Sequence, residues 1–217
     1  MRFDIISLFP ETIENYCSVS ILKRVFEKKQ AELYLHDLKN YGIGKYKKVD
    51  DKPFGGGTGQ ILRPEPIFEA HKAIKKLDNY KTIVLCANGQ ILKQPFIRNN
   101  LVNLSQIIII CGRYEGIDQR VIDYLADYSI SLGNYVLTGG EIGAMTIIDS
   151  VCRLLPEVFT KGSEVTNKDS FSDEKGEELE SAQYTRPREY LNMKVPDILL
   201  NGNHSEIEKW RKIIKKH

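Results

Sequence analysis

Ile107-Ile108-Ile109-Ile110-Cys111-Gly112-Arg113-Tyr114-Glu115-Gly116-Ile117-Asp118 sets a run of consecutive apolar residues directly against a glycine-rich segment. A strand with one wet face alternates apolar and polar residues. A run that is apolar at every position suits a strand covered on both faces, as in the interior of a parallel sheet. Ile83-Val84-Leu85-Cys86-Ala87 has the same character. Outward from these, residues 2–8, 31–38, 81–86, 106–111 and 127–132 are short runs rich in Ile, Leu, Val and Tyr that read as strands. Stretches of helical spacing lie between them: Ile21, Leu22, Val25 and Phe26 share one face, as do Ile67, Ala70 and Ile74. Strands alternating with helices predict an α/β fold with a mostly parallel sheet covered on both sides.

The pattern changes after Arg153. Residues 156–183 carry no convincing periodicity, are rich in Glu, Asp, Lys and Ser, and read as a long loop of the kind that serves as a linker or a lid. Beyond it, Ser205-x-x-Glu208 reads as a capping box opening a last helix, with Ile207, Trp210 and Ile214 on its apolar side. The division expected is 1–160, a flexible linker over 161–183, and a short helical region over 184–217.

Composition narrows the class. The chain has 217 residues and a formal net charge of +2, well short of a general polycation. Lys39, Lys45, Lys47, Lys48 and Lys52 nevertheless crowd one segment, and Lys209, Arg211, Lys212, Lys215 and Lys216 crowd the end, a weak pointer to RNA. No apolar run is long enough to span a bilayer, and Met1-Arg2-Phe3-Asp4 lacks the opening of a signal peptide, so no membrane association and a cytoplasmic location are expected. Cys17, Cys86, Cys111 and Cys152 show no CxxC spacing and the four histidines are scattered, so neither a zinc site nor a disulfide framework is expected, and no metal ligands are assigned.

Three glycine-rich segments carry the chemistry: Asp50 to Gly59 (DDKPFGGGTG), Cys111 to Asp118 (CGRYEGID) and Leu132 to Glu141 (LGNYVLTGGE). There is no GxxxxGK[ST] for a P-loop. There is also no GxGxxG opening a helix after a strand, which argues against a dehydrogenase. The second and third segments each follow an apolar run and precede a helical one, where open α/β sheets bind ligands beyond the carboxyl ends of their strands. Glycines there let a ligand approach the backbone closely.

These segments, with QYTRP at 183–187 and VPDILLNGNHSEIEKWR at 195–211, resemble in sequence order the bacterial tRNA (guanine-N1)-methyltransferases, a family of knotted (SPOUT) enzymes that use S-adenosylmethionine. The resemblance implies an α/β domain with a trefoil knot followed by a small helical tRNA-binding domain, a homodimer, tRNA as substrate, and magnesium dependence. It places cofactor contacts at Gly112 and at Leu132, Gly133, Asn134, Tyr135, Val136 and Leu137, with Leu85, Glu115, Gly116, Gly139 and Gly140 completing the pocket. Asp169, in Lys168-Asp169-Ser170-Phe171, matches the general base, and Arg153 the arginine beside the guanine. Arg186 and Arg188 are expected phosphate contacts. The sequence departs from the family pattern at Gln60, Ala87, Asn134, Glu157 and Ala182.

The implied reaction is methylation at N1 of guanosine 37, the nucleotide 3′ of the anticodon. The nearest alternative is a knotted methyltransferase acting on ribose 2′-hydroxyls, which needs neither the Asp169 base nor the QYTRP segment. A second alternative is a non-catalytic RNA-binding relative.

Overall fold

The computed structural model describes residues 1–159, 169–172 and 179–214, without the side chains of 212–214. The chain divides into two units, Met1–Thr160 and Lys161–His217.

The first unit is built on a five-stranded sheet. Its strands are β1 (Arg2–Ser7), β2 (Glu32–Asp37), β5 (Tyr80–Ile91), β6 (Gln106–Cys111) and β7 (Tyr128–Ser131), in the order β2-β1-β6-β5-β7. Every pairing in it is parallel. All six residues of the central strand β6 are buried. Because side chains alternate across a strand, the Ile run serves two cores at once. Ile107 and Ile109 join the core that holds α1 (Pro10–Cys17), α2 (Ser20–Glu27), α4 (Gln94–Asn100) and α6 (Glu141–Leu154). Ile108 and Ile110 join the core under α3 (Pro64–Ala73) and α5 (Gln119–Leu125). Each fully buried isoleucine contributes roughly 1.5–3 kcal/mol, so the strand anchors both layers. The helical faces read from sequence pack as expected: Leu22 and Val25 are buried on α2, and Ile67 and Ala70 on α3.

Each of the five apolar runs is a strand, but β5 is longer than its sequence signature. It continues to Ile91 through an irregularity in which Leu85 and Gln90 both stand opposite Ile130, so Cys86–Gly89 leave the sheet and return. A two-residue antiparallel pair, β3 (Asp50–Asp51) with β4 (Ile61–Leu62), closes the first glycine-rich segment into a loop. Nothing in the period of so short a pair announces it.

A buried acid marks the amino ends of the strands. Asp4, fully buried on β1, receives two 2.7 Å hydrogen bonds from Arg2 and one of 2.7 Å from Gln106 Nε2, and lies 2.9 Å from His36 Nε2. Burial alone would raise its pKa. The hydrogen bonds from His36, Arg2 and Gln106 outweigh that effect and hold the carboxyl below its usual range. The network ties β1 to both neighbouring strands.

In the second unit, β8 (Glu189–Tyr190) pairs antiparallel with β9 (Met193–Lys194), a 3-10 turn covers Asp197–Leu199, and α7 spans His204–Ile214. The expected capping box at Ser205 is displaced: the helix already begins at His204, and Asn203 Oδ1 accepts the Glu206 N–H at 3.4 Å. Asn is a favoured cap, and Glu206 turns back to accept from Asn201 Nδ2 at 3.2 Å. Ile207 is buried, and Trp210 packs against the Tyr184 ring with centroids 6.3 Å apart. The side chains of Ile214 and Lys212, and residues Lys215 and Lys216, lie outside the described residues, as do residue 160 and, in the expected linker, 161–168 and 173–178.

The histidine on α3 makes the fold sensitive to acid. His71 Nε2 lies 3.0 Å from Thr82 Oγ1, and its carbonyl accepts from Lys76 Nζ. Burial, and then the Lys76 charge, lower its pKa to about 4. Between that value and the ordinary one near 6.5, the unfolded chain binds a proton that the folded chain does not. The associated stability is therefore fully present above about pH 6.5 and is lost as pH falls toward 4. Thermal melts of the wild type are expected to show a falling midpoint over this window, with a shallower fall for His71→Gln.

Candidate functional site

The excursion within β5 and the segments after the carboxyl ends of β6 and β7 meet at one cleft of 330 Å³, a size suited to a small organic ligand. From β5 come Leu85 and the excursion Cys86-Ala87-Asn88; from β6, Gly112 to Ile117; from β7, Ser131, Leu132 and Tyr135 to Gly140. Ten of the twelve residues expected to contact the cofactor line it: Leu85, Gly112, Glu115, Gly116, Leu132, Tyr135, Val136, Leu137, Gly139 and Gly140. Gly133 and Asn134 do not. Gly133 shapes the loop instead, its carbonyl accepting from Ser131 Oγ at 3.0 Å and from the Tyr135 N–H at 2.9 Å, while Asn134 is exposed.

Close backbone approach holds the cleft together. The Gly140 N–H donates to the Gly112 carbonyl at 2.8 Å, and Arg113 and Gly139 form an antiparallel bridge. A Cβ on Gly140 would lie 2.8 Å from Cys111 Cα and 2.9 Å from Gly112 N, both backbone atoms of fixed position. The loop after β7 is thereby pinned across the end of β6, and α6 starts at the cleft wall. Tyr135, Val136 and Leu137 are 57%, 85% and 38% exposed, an apolar rim with no protein cover in the described chain. Glycine-rich backbone, apolar walls and two charged residues, Arg113 and Glu115, line the cleft and suit a small polar ligand with a flat heterocycle.

An ion pair behind the cleft had no sequence signal. Glu141, buried at the first position of α6, accepts from Ser7 Oγ at 2.8 Å and lies 3.5 Å from Arg113 Nη1. A carboxylate there also meets the positive end of the helix dipole. The Arg113 guanidinium stacks 4.7 Å from the centre of the Phe9 ring. The sequence shows Arg113 and Glu141 in glycine-rich segments, but their contacts with Ser7 and Phe9 join opposite ends of the unit, where local pattern carries no information.

The thiols are structural. Burial, then the Asp149 charge, push the Cys17 thiol up to about 12. Burial, followed by the charges of Cys17 and Asp149, does the same to Cys152. Cys111 is raised well above its usual value by burial and by Glu141, and Cys86, at the cleft, is raised by burial. None is poised as a thiolate. Among the described residues no group of three or more His, Cys, Asp or Glu could hold a metal ion, so the residues present offer no built magnesium cage and no step is assigned to that ion.

Arg153 lies in the last turn of α6, its guanidinium 5.0 Å from the Phe159 ring centre. In the second unit, the Asp169 carbonyl accepts the Ser172 N–H at 3.2 Å and Ser170 Oγ accepts the Glu180 N–H at 2.8 Å, so the DSF segment forms a turn. Arg186 and Arg188 are exposed.

The whole chain, residues 1–217, matches the family model described as tRNA (guanine-1)-methyltransferase TrmD. The tRNA (guanine-N(1)-)-methyltransferase of Prochlorococcus marinus (strain MIT 9312) is 47% identical over 211 residues, covering 97% of this chain and 83% of the relative. That of Clostridioides difficile (strain 630) is 42% identical over 215 residues, covering 98% and 91%. The crystal structure of tRNA (m1G37) methyltransferase from Aquifex aeolicus is similar with a TM-score of 0.78 at 38% identity, over 97% of this chain and 87% of that one. The fold and the matches define a class, α/β methyltransferases of tRNA. Within it, the chain belongs to the tRNA (guanine-1)-methyltransferase family.

Gly140→Ala tests the geometry of the cleft. The added methyl meets the Cys111–Gly112 backbone, so the variant is expected to lose about 1–3 kcal/mol of stability. It is also expected to bind S-adenosylmethionine far more weakly; thermal unfolding and calorimetric titration read the two effects separately.

Proposed function

We propose that this chain transfers the methyl group of S-adenosylmethionine to N1 of guanosine 37 of tRNA. The observation that carries this reading is the glycine-rich cleft formed by the excursion in β5 and the segments after β6 and β7, in a chain of this family. Bound there, the cofactor supplies an electrophilic methyl group on a sulfonium.

The ten cleft-lining residues expected from sequence hold the cofactor, with Gly133 and Asn134 shaping the rim. Backbone groups around Gly112 and Leu132–Leu137 read the adenine and ribose, and the Glu115 carboxylate faces the positively charged methionine end. Asp169 takes the N1 proton of the guanine as N1 bonds to the methyl carbon and the carbon–sulfur bond breaks, leaving S-adenosylhomocysteine. Arg153 stabilises the negative charge that develops toward O6. Arg186 and Arg188 contact phosphates, which makes 184–217 a tRNA-binding region. The implied trefoil knot is assigned to the passage of 132–140 across 112–116, in keeping with the Gly140–Gly112 hydrogen bond. A homodimer and a cytoplasmic location complete the reading. In support of the location, no helix among the described residues is long and apolar enough to cross a membrane.

The test uses methyl-labelled cofactor with tRNA transcripts carrying guanine or adenine at position 37. Label is expected on N1 of the guanine transcript alone, falling by about 10²–10⁴ in Asp169→Asn. Label on a ribose 2′-hydroxyl would replace this reading with the alternative knotted chemistry, and RNA binding without any label would mark a non-catalytic relative.

A further inference from the structure

The first glycine-rich segment does not line the cleft, yet it is held beside it. The Glu115 N–H donates to the Gln60 carbonyl at 2.9 Å, the Leu62 N–H to the Gly116 carbonyl at 2.9 Å, and the Asp118 N–H to the Leu62 carbonyl at 3.0 Å. This backbone ladder fastens β4 to the cleft segment 115–118, and β3 is paired to β4. Two loops spring from the ends of β3, one over 42–48 and the other over 52–60. The intervening run Val49–Asp51 spans about 10 Å of extended chain.

Both loops present an aromatic side chain that the fold leaves unused. Phe54 is 100% exposed and Tyr46 is 89% exposed. A wholly exposed phenylalanine gives the folded chain nothing for its apolar area, and here it stands with a second exposed ring and unpaired lysines in loops at the two ends of β3. Lysines alternate with the two rings: Lys45, Lys47 and Lys52 are exposed and, among the described residues, pair with no carboxylate. Lys48 and Arg63 instead neutralise Asp51, at 3.0 and 3.3 Å. Around Phe54 the chain is small: Gly55, Gly56, Gly57 and Gly59 all have positive φ, and a Cβ on Gly55 or Gly56 would meet open space. Exposed rings and unpaired lysines in two loops joined by β3 match an unpaired nucleic-acid strand, whose bases stack on aromatic faces while phosphates meet lysines. A protein partner would leave three lysines without carboxylates unless it were acidic.

We propose that Tyr46 and Phe54, with Lys45, Lys47 and Lys52, form a stacking and phosphate-binding ridge that grips single-stranded nucleotides flanking the target guanine. The inference rests on the tRNA reading above and adds positioning residues to it. The ridge places the strand next to the cofactor cleft because the ladder at 60–62 and 115–118 fixes both.

The experiment measures equilibrium binding of unmodified tRNA and of an anticodon stem-loop to the full chain, without turnover. Phe54→Ala and Tyr46→Ala are each expected to weaken RNA binding about fivefold to a hundredfold, the range of one base–aromatic stack. Phe54→Leu is expected to stay weak and Phe54→Trp to restore binding, a contrast that apolar packing alone would not produce. The melting midpoint and S-adenosylmethionine affinity are expected to be unchanged. Lys45→Gln, Lys47→Gln and Lys52→Gln together are expected to flatten the salt dependence, with each lysine removing a slope of about 0.7–0.9. Unchanged RNA affinity in the aromatic variants overturns the ridge, as does a Phe54→Ala variant that alters only the sedimentation of the protein, which would make the surface a protein interface. Loss of RNA affinity in these variants alongside a wild type that labels no guanine would instead overturn the methyl-transfer reading and leave the ridge standing.

Discussion

The burial of β6 on both faces is the constraint from which the first unit follows. A strand apolar at every position from Ile107 to Cys111 does not suit an edge or a wet face, so it takes the centre of the sheet with a helical layer on each side. Once Ile107 and Ile109 face one layer and Ile108 and Ile110 the other, the carboxyl end of β6 can open only into the gap between layers. The cleft lies at that end. Cys111 closes the strand in the core and Gly112 begins the cleft wall, so one residue separates the packing that stabilises the unit from the surface that binds.

The cleft depends on what is missing from its backbone. A methyl on Gly140 would collide with the Cys111–Gly112 main chain, and one on Gly112 with the Leu85 carbonyl. That approach lets the loop after β7 cross the end of β6 and offer peptide groups to a ligand. Peptide groups fixed by their own hydrogen bonds are preorganised and lose no side-chain entropy on binding. The buried pair behind them has a different task. Glu141 with Ser7 and Arg113 joins β1, the 112–116 segment and the start of α6. Desolvation makes such a pair a poor source of net stability, so its effect is better described as fixing one arrangement.

Charge is divided by location. Asp4 and Glu141 are buried and satisfied, while Lys45, Lys47 and Lys52 stand in water beside unpacked rings. The first pattern holds a fold. The second leaves apolar area in water and underlies the proposed nucleic-acid surface.

Much of this was legible in the residues. The unbroken apolar runs showed a parallel sheet, and periodicity placed the helices. The order of the glycine-rich segments carried the family, because local composition encodes burial and turn geometry directly. Other features needed the folded chain. The excursion at Cys86–Gly89 exists because Leu85 and Gln90 must both answer Ile130. The cap falls on Asn203 and not Ser205, with the Asn203 carboxamide oxygen accepting the Glu206 N–H. The Glu141–Ser7–Arg113 contacts join residues more than a hundred positions apart for Ser7. Sequence alone determined which segments are buried on two faces and which must turn tightly, since both are properties of a few neighbouring side chains. Tertiary structure alone decided which of those segments meet, because a long-range contact depends on the summed packing of the whole unit and leaves no local periodic trace.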